Sequence, residues 1–467
     1  MIKLARAISV ALVTIGFAAS AQAATYVVSA KNYSFDAQLA RKVEAAGGTI
    51  TARLPQIGVA LVASSDPGFA ARASKITAIR SAVQDLTVQY KIPEAIADTG
   101  ADFANPPASG ENDTRFDLQW GSAAIDVAGA WNQGYRGAGA IVAVLDSGVV
   151  CQHPDIAPNL LPDSTSFATG EGVCHNIPGT FNHGTHVAGI IAAPDNAFGT
   201  IGVAPEAKIL AVKVLSGATG SGDFGWLIEG LVYAADHGAD VINMSLGADI
   251  PVNGRGANEV AELVNAIKRA VQYARSQNAV VIASAGNDAR DLDHDSGLKI
   301  CDTDGCYVAN LKAFPAEVPG VLAISATAPI GWALAPTSTS YDNLASYSNY
   351  GQSVIAFAAP GGDTSYPGNE NCLLAGLVRP CYVFDLVFAP GGYTTPTSVS
   401  YYWAGGTSMA APHASGVAAL IVGKHGGELA PSEVERILRA SADDLGKPGK
   451  DDAYGAGRVN AAKAVKL

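Results

Sequence analysis

Four polar residues of this chain have types and positions that could support covalent chemistry. Asp146 and Asn287 each follow an apolar, strand-like run. His183 and Ser408 each begin a helix-like stretch of small and apolar residues. A serine hydroxyl becomes a nucleophile when an imidazole removes its proton and a carboxylate fixes the imidazole tautomer. The pattern therefore predicts acyl-transfer chemistry at Ser408.

Small residues surround Ser408 in the stretch 404–416, AGGTSMAAPHASG. Gly405 and Gly406 would let a substrate backbone approach closely, since glycine has no side chain. Attack on a carbonyl creates an oxyanion, and the Asn287 amide and the Ser408 N–H are suitable donors for it. An ordinary helix-capping serine is the simpler interpretation, but the presence of Asp146, His183 and Asn287 in the same pattern disfavours it.

The residues alone do not decide which histidine is the base. His183 and His186 are three positions apart and would share a helix face. A zinc site is disfavoured because HGTH lacks the glutamate and the spacing of HExxH. His413, in the helix after the serine, is interpreted as structural.

The elements that must position these residues predict an α/β fold. Near-continuous apolar runs alternate with helix patterns such as 259–278, which indicates a doubly wound, mostly parallel sheet with helices on both faces. In such sheets ligands meet the carboxyl ends of the strands, so the four polar residues are expected on one rim. The predicted strands are 140–145, 208–215, 240–246, 279–285 and 321–326.

The N-terminal part carries different signals. Residues 1–23 combine Lys3 and Arg6, an apolar run and Ala21-Gln22-Ala23, which predicts a secretory signal peptide. From Ala24 to about Ile96, strand and helix patterns predict a small α+β module, with a second helix over 69–82 and a last strand in LTVQYKI. Residues 98–114 are rich in turn formers and predict an exposed linker.

Composition limits the possible partners. The 467 residues are 48% hydrophobic and 15% charged, with a formal net charge of −12. This predicts a globular protein and argues against nucleic-acid binding, which needs clustered Lys and Arg. No later stretch predicts a membrane span, and we expect a monomer.

Four motifs together resemble those of the subtilisin-like serine proteases: VLDSG (144–148), NHGTHVAG (182–189), SAGN (284–287) and GTSMAAPH (406–413). The resemblance implies an Asp-His-Ser triad in which Asp146 orients the imidazole, His183 is the general base and Ser408 is the nucleophile. Asn287 would be the oxyanion donor. An ester hydrolase of the G-x-S-x-G type fits neither GTSMA nor the residue order, and a catalytically silent relative would have lost a key residue.

The resemblance also implies where the protein acts, how it is processed and which class of substrate it cleaves. We expect a secreted serine endopeptidase, extracellular with possible periplasmic transit, that acts on proteins or peptides through an acyl-enzyme. It implies a zymogen of the secreted bacterial type, in which residues 24–105 form an inhibitor-like propeptide acting in cis and 106–467 the peptidase domain. Autocatalytic cleavage is expected between about Ile96 and Asn112.

The same resemblance supplies subsites, with broad specificity and a preference for a large apolar residue before the scissile bond. Ser245, Leu246 and Gly247 would pair with the substrate backbone as an added strand. Ala285 and Gly286 would wall the primary pocket. Gly220 and Phe224 would form the opposite edge, although a plain glycine-rich turn remains the alternative for 217–224.

Cysteines and calcium complete the expectations. An even number of cysteines in an exported chain predicts disulfides, and we expect sequential pairs among Cys151, Cys174, Cys301, Cys306, Cys372 and Cys381. The last pair lies in an insertion before Ser408. The resemblance implies a structural calcium ion at Asp155 and Asn196, with no cofactor for catalysis.

Overall fold

The computed structural model describes residues 23–90, 93–98, 111–254, 256–294, 296–302, 305–395 and 397–467. The predicted signal peptide, most of the predicted linker and the predicted domain boundary at 105/106 lie outside these ranges. The side chains of 298–307 are likewise outside the description.

The N-terminal module is an antiparallel four-stranded sheet of order β2-β3-β1-β4 with two helices. The α+β prediction is confirmed, but the predicted second helix ends early and its last residues form β4. Pairing of β4 with β1 explains the difference, because tertiary pairing overrides the helix propensity of an alanine-rich stretch. The elements are β1 Ala24–Ala30, α1 Ala37–Ala45, β2 Thr49–Leu54, β3 Val59–Ser64, α2 Phe69–Ala73 and β4 Ile79–Gln84.

The remaining elements follow in chain order. They are β5 Thr87–Gln89, β6 Ala95–Asp98, α3 Trp120–Ala124, α4 Val127–Trp131, β7 Ile141–Asp146, β8 Thr165–Ser166, α5 His183–Ala192, β9 Lys208–Lys213, β10 Ser221–Asp223, α6 Phe224–Asp236, β11 Val241–Met244, β12 Ala248–Pro251, α7 Ala257–Ser276, β13 Val280–Ser284, β14 Leu298–Asp302, β15 Gly305–Ala309, β16 Leu311–Phe314, β17 Val321–Ala328, β18 Asn343–Leu344, β19 Ile355–Pro360, β20 Asn371–Leu374, β21 Leu377–Pro380, β22 Val387–Thr395, β23 Ser398–Ala404, α8 Thr407–Lys424, α9 Pro431–Ser441 and α10 Ala461–Ala464.

A mostly parallel sheet forms the centre of the large domain. Its strand order is β18-β17-β13-β11-β7-β9-β8, β19 also pairs with β17, and only the β17–β18 pairing is antiparallel. Strand β7 shows the two-sided burial: Val142 and Val144 face the layer of α5 and α8, while Ala143 and Leu145 face α6 and α7. The predicted doubly wound fold is therefore confirmed, with all five predicted strands present.

The N-terminal module shares a core with the large domain. Val27, Val59 and Leu61 point from its sheet into the cluster formed by α6 and α7. The Arg269 guanidinium of α7 donates to the Ala30 carbonyl at 2.9 Å, and Arg80 pairs with Glu262 at 2.9 Å. The module is thus packed on the outer face of two helices.

Two short strands carry the chain along the large domain. Strand β5 pairs antiparallel with β10, and Tyr90 then donates its N–H to the Gly220 carbonyl at 3.3 Å. Strand β6 pairs antiparallel with β23, as the third strand of the sheet β22-β23-β6. The residues 91 and 92 between them lie outside the description.

Two of the expected disulfides are formed, Cys151–Cys174 and Cys372–Cys381. Cys301 and Cys306 are opposite each other in the β14–β15 hairpin, but their side chains fall outside the described residues. The second disulfide closes the β20–β21 hairpin, in the insertion that ends in β22 and β23. Among the described residues, no helix is long and apolar enough to cross a bilayer.

Candidate active site

Asp146 and His183 form a buried pair at the rim of the central sheet. Asp146 ends β7, and His183 begins α5 just after the capping residue Asn182. The His183 Nδ1 atom is 2.9 Å from each Asp146 carboxylate oxygen, and the two side chains are 2% and 1% exposed. A proton held on Nδ1 leaves Nε2 as the basic nitrogen. The Nε2 atom has no hydrogen-bond partner among the described residues.

Ser408 lies in the first turn of α8, at the same rim. Its hydroxyl donates to the Ser245 carbonyl at 3.2 Å, while its own carbonyl accepts from the Ser245 hydroxyl at 2.8 Å. The Oγ atom is therefore directed at Ser245 and not at His183 in this conformation. Rotation about χ1 would redirect it, and such hydrogen bonds are often loose before substrate binds.

The Asn287 side chain is held by the residue before the serine. Its Oδ1 atom accepts from the Thr407 N–H at 2.9 Å and from the Thr407 hydroxyl at 2.7 Å. These two bonds hold the Oδ1 atom of the amide toward Thr407. The Nδ2 group therefore points away from Thr407, where it could donate to an oxyanion. The sequence prediction missed Thr407, although its place directly before Ser408 was an available signal.

A second residue that the sequence prediction missed fixes the loop after β13. Asn349 donates from Nδ2 to the Ala285 carbonyl at 2.9 Å, and its Oδ1 accepts from the Asp288 and Arg290 N–H groups at 3.1 and 3.0 Å. A Cβ atom at Gly286 would lie 2.3 Å from Asn349 Nδ2, so only glycine fits there. No local pattern marks Asn349, which is distant in sequence from this loop.

A pocket opens beside Ser408. Gly247, Ala285 and Gly286 are among the residues that line it, and Ser245 and Leu246 are not. The Leu246 carbonyl accepts from the Ser284 hydroxyl at 3.3 Å. The lining residues are Gly247, Ala248, Asp249, Ser284, Ala285, Gly286, Asn287, Asp288, Ala313, Phe314, Thr407 and Ser408.

Gly220 directly precedes β10, which pairs with β5, and Phe224 begins α6. Gly220 has a φ of 71° and accepts from Tyr90, so it already contacts an extended segment. Phe224 is buried, and its ring centroid is 4.9 Å from that of Phe314. Val88 and Tyr90 belong to the same apolar cluster.

His186 and His413 are buried and do not take part in the pair formed by Asp146 and His183. His186 Nε2 is 3.0 Å from the Tyr402 carbonyl, and His413 Nδ1 is 2.8 Å from the Met409 carbonyl. Burial lowers the pKa of His186 to about 3 and that of His413 to about 4. Both imidazoles are therefore neutral near pH 7, as structural residues would be.

A buried lysine lies behind Asp146. Lys213 Nζ donates to the Ser147 carbonyl at 2.5 Å and is 3.1 Å from a Glu171 carboxylate oxygen. Burial lowers the pKa of Lys213, with Glu171 acting in the opposite direction. This positive group near the buried Asp146 carboxylate was not identified from the sequence.

The residues expected to hold calcium, Asp155 and Asn196, make hydrogen bonds to other groups of the protein. One Asp155 oxygen accepts from the Thr200 N–H at 2.9 Å, the Thr200 hydroxyl at 3.0 Å and the Tyr401 hydroxyl at 2.9 Å. Burial raises the pKa of Asp155 to about 7. Asn196 donates to the Pro154 carbonyl at 3.3 Å. Calcium needs surrounding acceptor oxygens, and the other Asp155 oxygen is buried without a hydrogen-bond partner among the described residues, so calcium stays an untested prediction.

Comparisons with known proteins agree with this geometry. Residues 137–457 match the Peptidase_S8 model, described as the Subtilase family. The chain belongs to the subtilase family and is a serine-type endopeptidase. It is 32% identical over 336 residues to Subtilisin DY of Bacillus licheniformis, covering 72% of this chain and 93% of the relative.

Thermitase of Thermoactinomyces vulgaris is 33% identical over 357 residues, with 76% of this chain and 99% of the relative covered. Among solved structures, the epidermin leader peptide processing serine protease of Staphylococcus aureus superposes with a TM-score of 0.71. The match covers 96% of this chain and 98% of that chain at 22% identity, a likeness that concerns the fold alone.

Proposed function

We propose that Ser408, His183 and Asp146 carry out peptide-bond hydrolysis through an acyl-enzyme. The observation that supports this most directly is the buried pair of His183 Nδ1 with both Asp146 oxygens at the rim where α8 presents Ser408. His183 Nε2 would take the Ser408 proton as Oγ attacks the carbonyl, and would then give it to the leaving amine. Asn287 Nδ2 and the Ser408 N–H would hold the oxyanion. A water molecule then attacks the acyl-enzyme ester in the same way, with His183 as the base, and the carboxylic acid product is released.

The chain would be made as a zymogen whose N-terminal module blocks the cleft. The support is that β5 pairs with β10, next to the segment 217–224 where the resemblance implies a substrate subsite, in the manner of an added strand. Val88 and Tyr90 fill the apolar cluster there. The module would act in cis, and its shared core with α6 and α7 would hold it in place until it is cut.

The precursor would be exported and would act outside the cell or in transit through the periplasm. The support is the signal-peptide pattern of residues 1–23 and the paired cysteines, which suit an oxidising compartment. Protein or peptide substrates follow from the family, and a monomer stays a prediction.

The experiment compares casein hydrolysis by wild type, Ser408→Ala, His183→Ala and Ser432→Ala. Ser432 is an exposed serine of α9 and serves as the matched control. Both active-site variants should lose several orders of magnitude in kcat, because the members of such a unit act together. A serine-directed covalent inhibitor should label Ser408 in wild type. Unchanged turnover in Ser408→Ala would exclude the assignment.

A further inference from the structure

A buried lysine lies behind the Asp146–His183 pair and takes no part in the catalytic steps described above. Lys213 ends β9 opposite Asp146 in the β7–β9 pairing and is 3% exposed. Its Nζ atom is 3.1 Å from the Glu171 Oε2 atom and donates to the Ser147 carbonyl at 2.5 Å. A buried charge is stable only when it is paired and hydrogen-bonded. Glu171 therefore supplies, at contact distance, the counter-charge that Lys213 needs.

Contacts at both of its carboxylate oxygens fix the position of Glu171. The Oε1 atom accepts from the Ser216 hydroxyl at 2.6 Å, and the Oε2 atom accepts from the Gly217 N–H at 2.8 Å. Glu171 also lies three residues before Cys174, whose disulfide with Cys151 ties this loop to the chain that follows β7. The carboxylate therefore contacts the lysine from a loop that a disulfide and two hydrogen bonds hold in place.

Ser147 connects the lysine to the catalytic pair. Its carbonyl accepts from Lys213, and its N–H donates to the Asp146 Oδ1 atom at 2.7 Å. Its hydroxyl accepts at 3.1 Å from the N–H of Gly184, which directly follows His183. One residue thus contacts the ammonium group, the carboxylate and the helix that carries the imidazole. A shift of the lysine would therefore be transmitted to both members of the pair.

Three charged side chains that the structure describes interact behind the imidazole. Burial lowers the pKa of Lys213, while Glu171 and then Asp146 act to raise it. Two further imidazoles lie nearby, those of His175 and His186, and burial lowers the pKa of each, that of His186 to about 3. Both are neutral near pH 7, so they leave the charge balance of the three side chains unchanged.

We propose that Lys213 and Glu171 are positioning residues of the catalytic triad, which hold the turn after Asp146 and balance the charge behind the His183 imidazole. The inference deepens the proposed function and rests on it. As Ser408 attacks the substrate, His183 becomes positively charged. An unpaired lysine would oppose that charge, whereas its ion pair with Glu171 leaves Asp146 free to stabilise it.

The test compares the pH dependence of kcat/KM on one peptide for wild type, Glu171→Gln, Lys213→Met and the double variant. Glu171→Gln leaves the ammonium group uncompensated, so the acid limb of the profile, where His183 takes up a proton, should move to lower pH. Lys213→Met leaves the carboxylate uncompensated and should move the limb to higher pH. Each shift should be roughly half a pH unit or more, as expected for one uncompensated charge in a partly buried site. The double variant should return close to wild type.

Shifts in opposite directions distinguish this role from a structural one, because damage to the fold would lower activity without moving the limb both ways. Glu428→Gln and Lys447→Met change exposed residues and are the matched controls. Shifts in the same direction, or none, would overturn the inference and leave the proposed function standing. Failure of wild type to hydrolyse peptides or casein would instead refute the proposed function.

A second measurement depends neither on activity nor on maturation. NMR of uncut Ser408→Ala with isotope-labelled histidine follows the titration of His183, whose signal is identified by its loss in His183→Ala. The titration midpoint should fall when Glu171→Gln is added and rise when Lys213→Met is added. A midpoint that is unchanged, or that moves the same way in both variants, would overturn the inference.

The double variant also guards against misfolding of Lys213→Met. A buried ion pair that is replaced as a unit is often tolerated, whereas removal of one partner is not. If Lys213→Met does not fold, the double variant takes its place, and its midpoint should lie above that of Glu171→Gln. Equal midpoints in these two proteins would overturn the inference.

Discussion

At the scale of single residues, the oxyanion site depends on an amide whose orientation is set by its neighbour. Thr407 donates to Asn287 Oδ1 from both its backbone N–H and its side-chain hydroxyl. The Asn287 amide is therefore oriented before substrate arrives. Preorganised donors of this kind contribute to catalysis because they need no rearrangement in the transition state.

Asn287→Ala removes the proposed oxyanion donor. We expect kcat to fall by about 10²–10³ with a smaller change in KM, the magnitude known for this type of donor in subtilisin. Steady-state kinetics on one peptide measure both parameters. A change confined to KM would identify Asn287 as a binding residue instead.

Thr407→Val keeps the shape of the side chain but removes the hydroxyl, which donates to Asn287 Oδ1 at 2.7 Å and accepts from the Gly286 N–H at 3.1 Å. As a positioning residue, Thr407 should affect kcat, by at least about tenfold for the two lost hydrogen bonds, and change KM less than kcat. Thr407→Ser retains the hydroxyl and should restore kcat. If the serine variant is as slow as the valine variant, the hydroxyl is not responsible.

At the scale of elements, β6 connects the N-terminal segment to the insertion before the serine. It pairs with β23 along four residues, and Asp98 places a carboxylate between Arg115 and Arg379. Arg115 also stacks over the Tyr401 ring, 4.8 Å from its centroid. This buried cluster binds β6 to the large domain independently of the N-terminal module.

Asp98→Asn should therefore destabilise the uncut protein. Removing one partner of a buried ion pair leaves an uncompensated charge and costs about 3–5 kcal/mol. Urea unfolding of uncut Ser408→Ala with and without Asp98→Asn measures the free energy of unfolding. Asp117→Asn, a change outside β6, serves as control, and equal stability of the Asp98 variant would show that β6 is not held by this pair.

The elements differ in how well the sequence predicts them. The five central strands are continuous apolar runs, and their burial on both faces makes that pattern visible. Strand β6 has no such pattern, because its partner β23 is some 300 residues away. The predicted helix over 69–82 failed at β4 for the same reason, since pairing with β1 is not encoded locally.

The residues of the site also differ in how well the sequence predicts them. Asp146, His183, Asn287 and Ser408 could be identified because motifs of the family contain them. Asn349 and Lys213 could not, because each acts through contacts with distant segments.

At the scale of the whole molecule, the interface between the module and the large domain buries acidic groups. Asp85 accepts from the Gly225 N–H at 3.1 Å, at the start of α6. Burial, with the neighbouring Asp223, raises the pKa of Asp85 to about 8. Burial also raises the pKa of Glu229 to about 7.

The association of module and domain should therefore weaken as pH rises. In the separated parts Asp85 would ionise near its ordinary pKa of about 3.9. Between that pH and a pH of about 8, the packed form therefore holds one proton more than the separated parts do. Stability then falls through this window, by up to about 1.4 kcal/mol per pH unit for one proton, and levels off above it.

Urea unfolding of uncut Ser408→Ala at pH 5.5 and 8.5 checks this expectation. The protein should be less stable at pH 8.5, and adding Asp85→Asn should reduce the difference. Adding Asp163→Asn, at an exposed site, should leave it unchanged. Greater stability at pH 8.5 in all three proteins would contradict the role assigned to Asp85.

The pairing of β6 with β23 has a consequence for the enzyme after it is cut. Ala404, at the end of β23, is only four residues before Ser408, so the pairing fixes Ala95 of β6 opposite a residue close to Ser408 in the chain. A cut within the predicted window from Ile96 to Asn112 would leave the released segment still paired with β23, so a strand would have to separate from this sheet before the N-terminal module could leave.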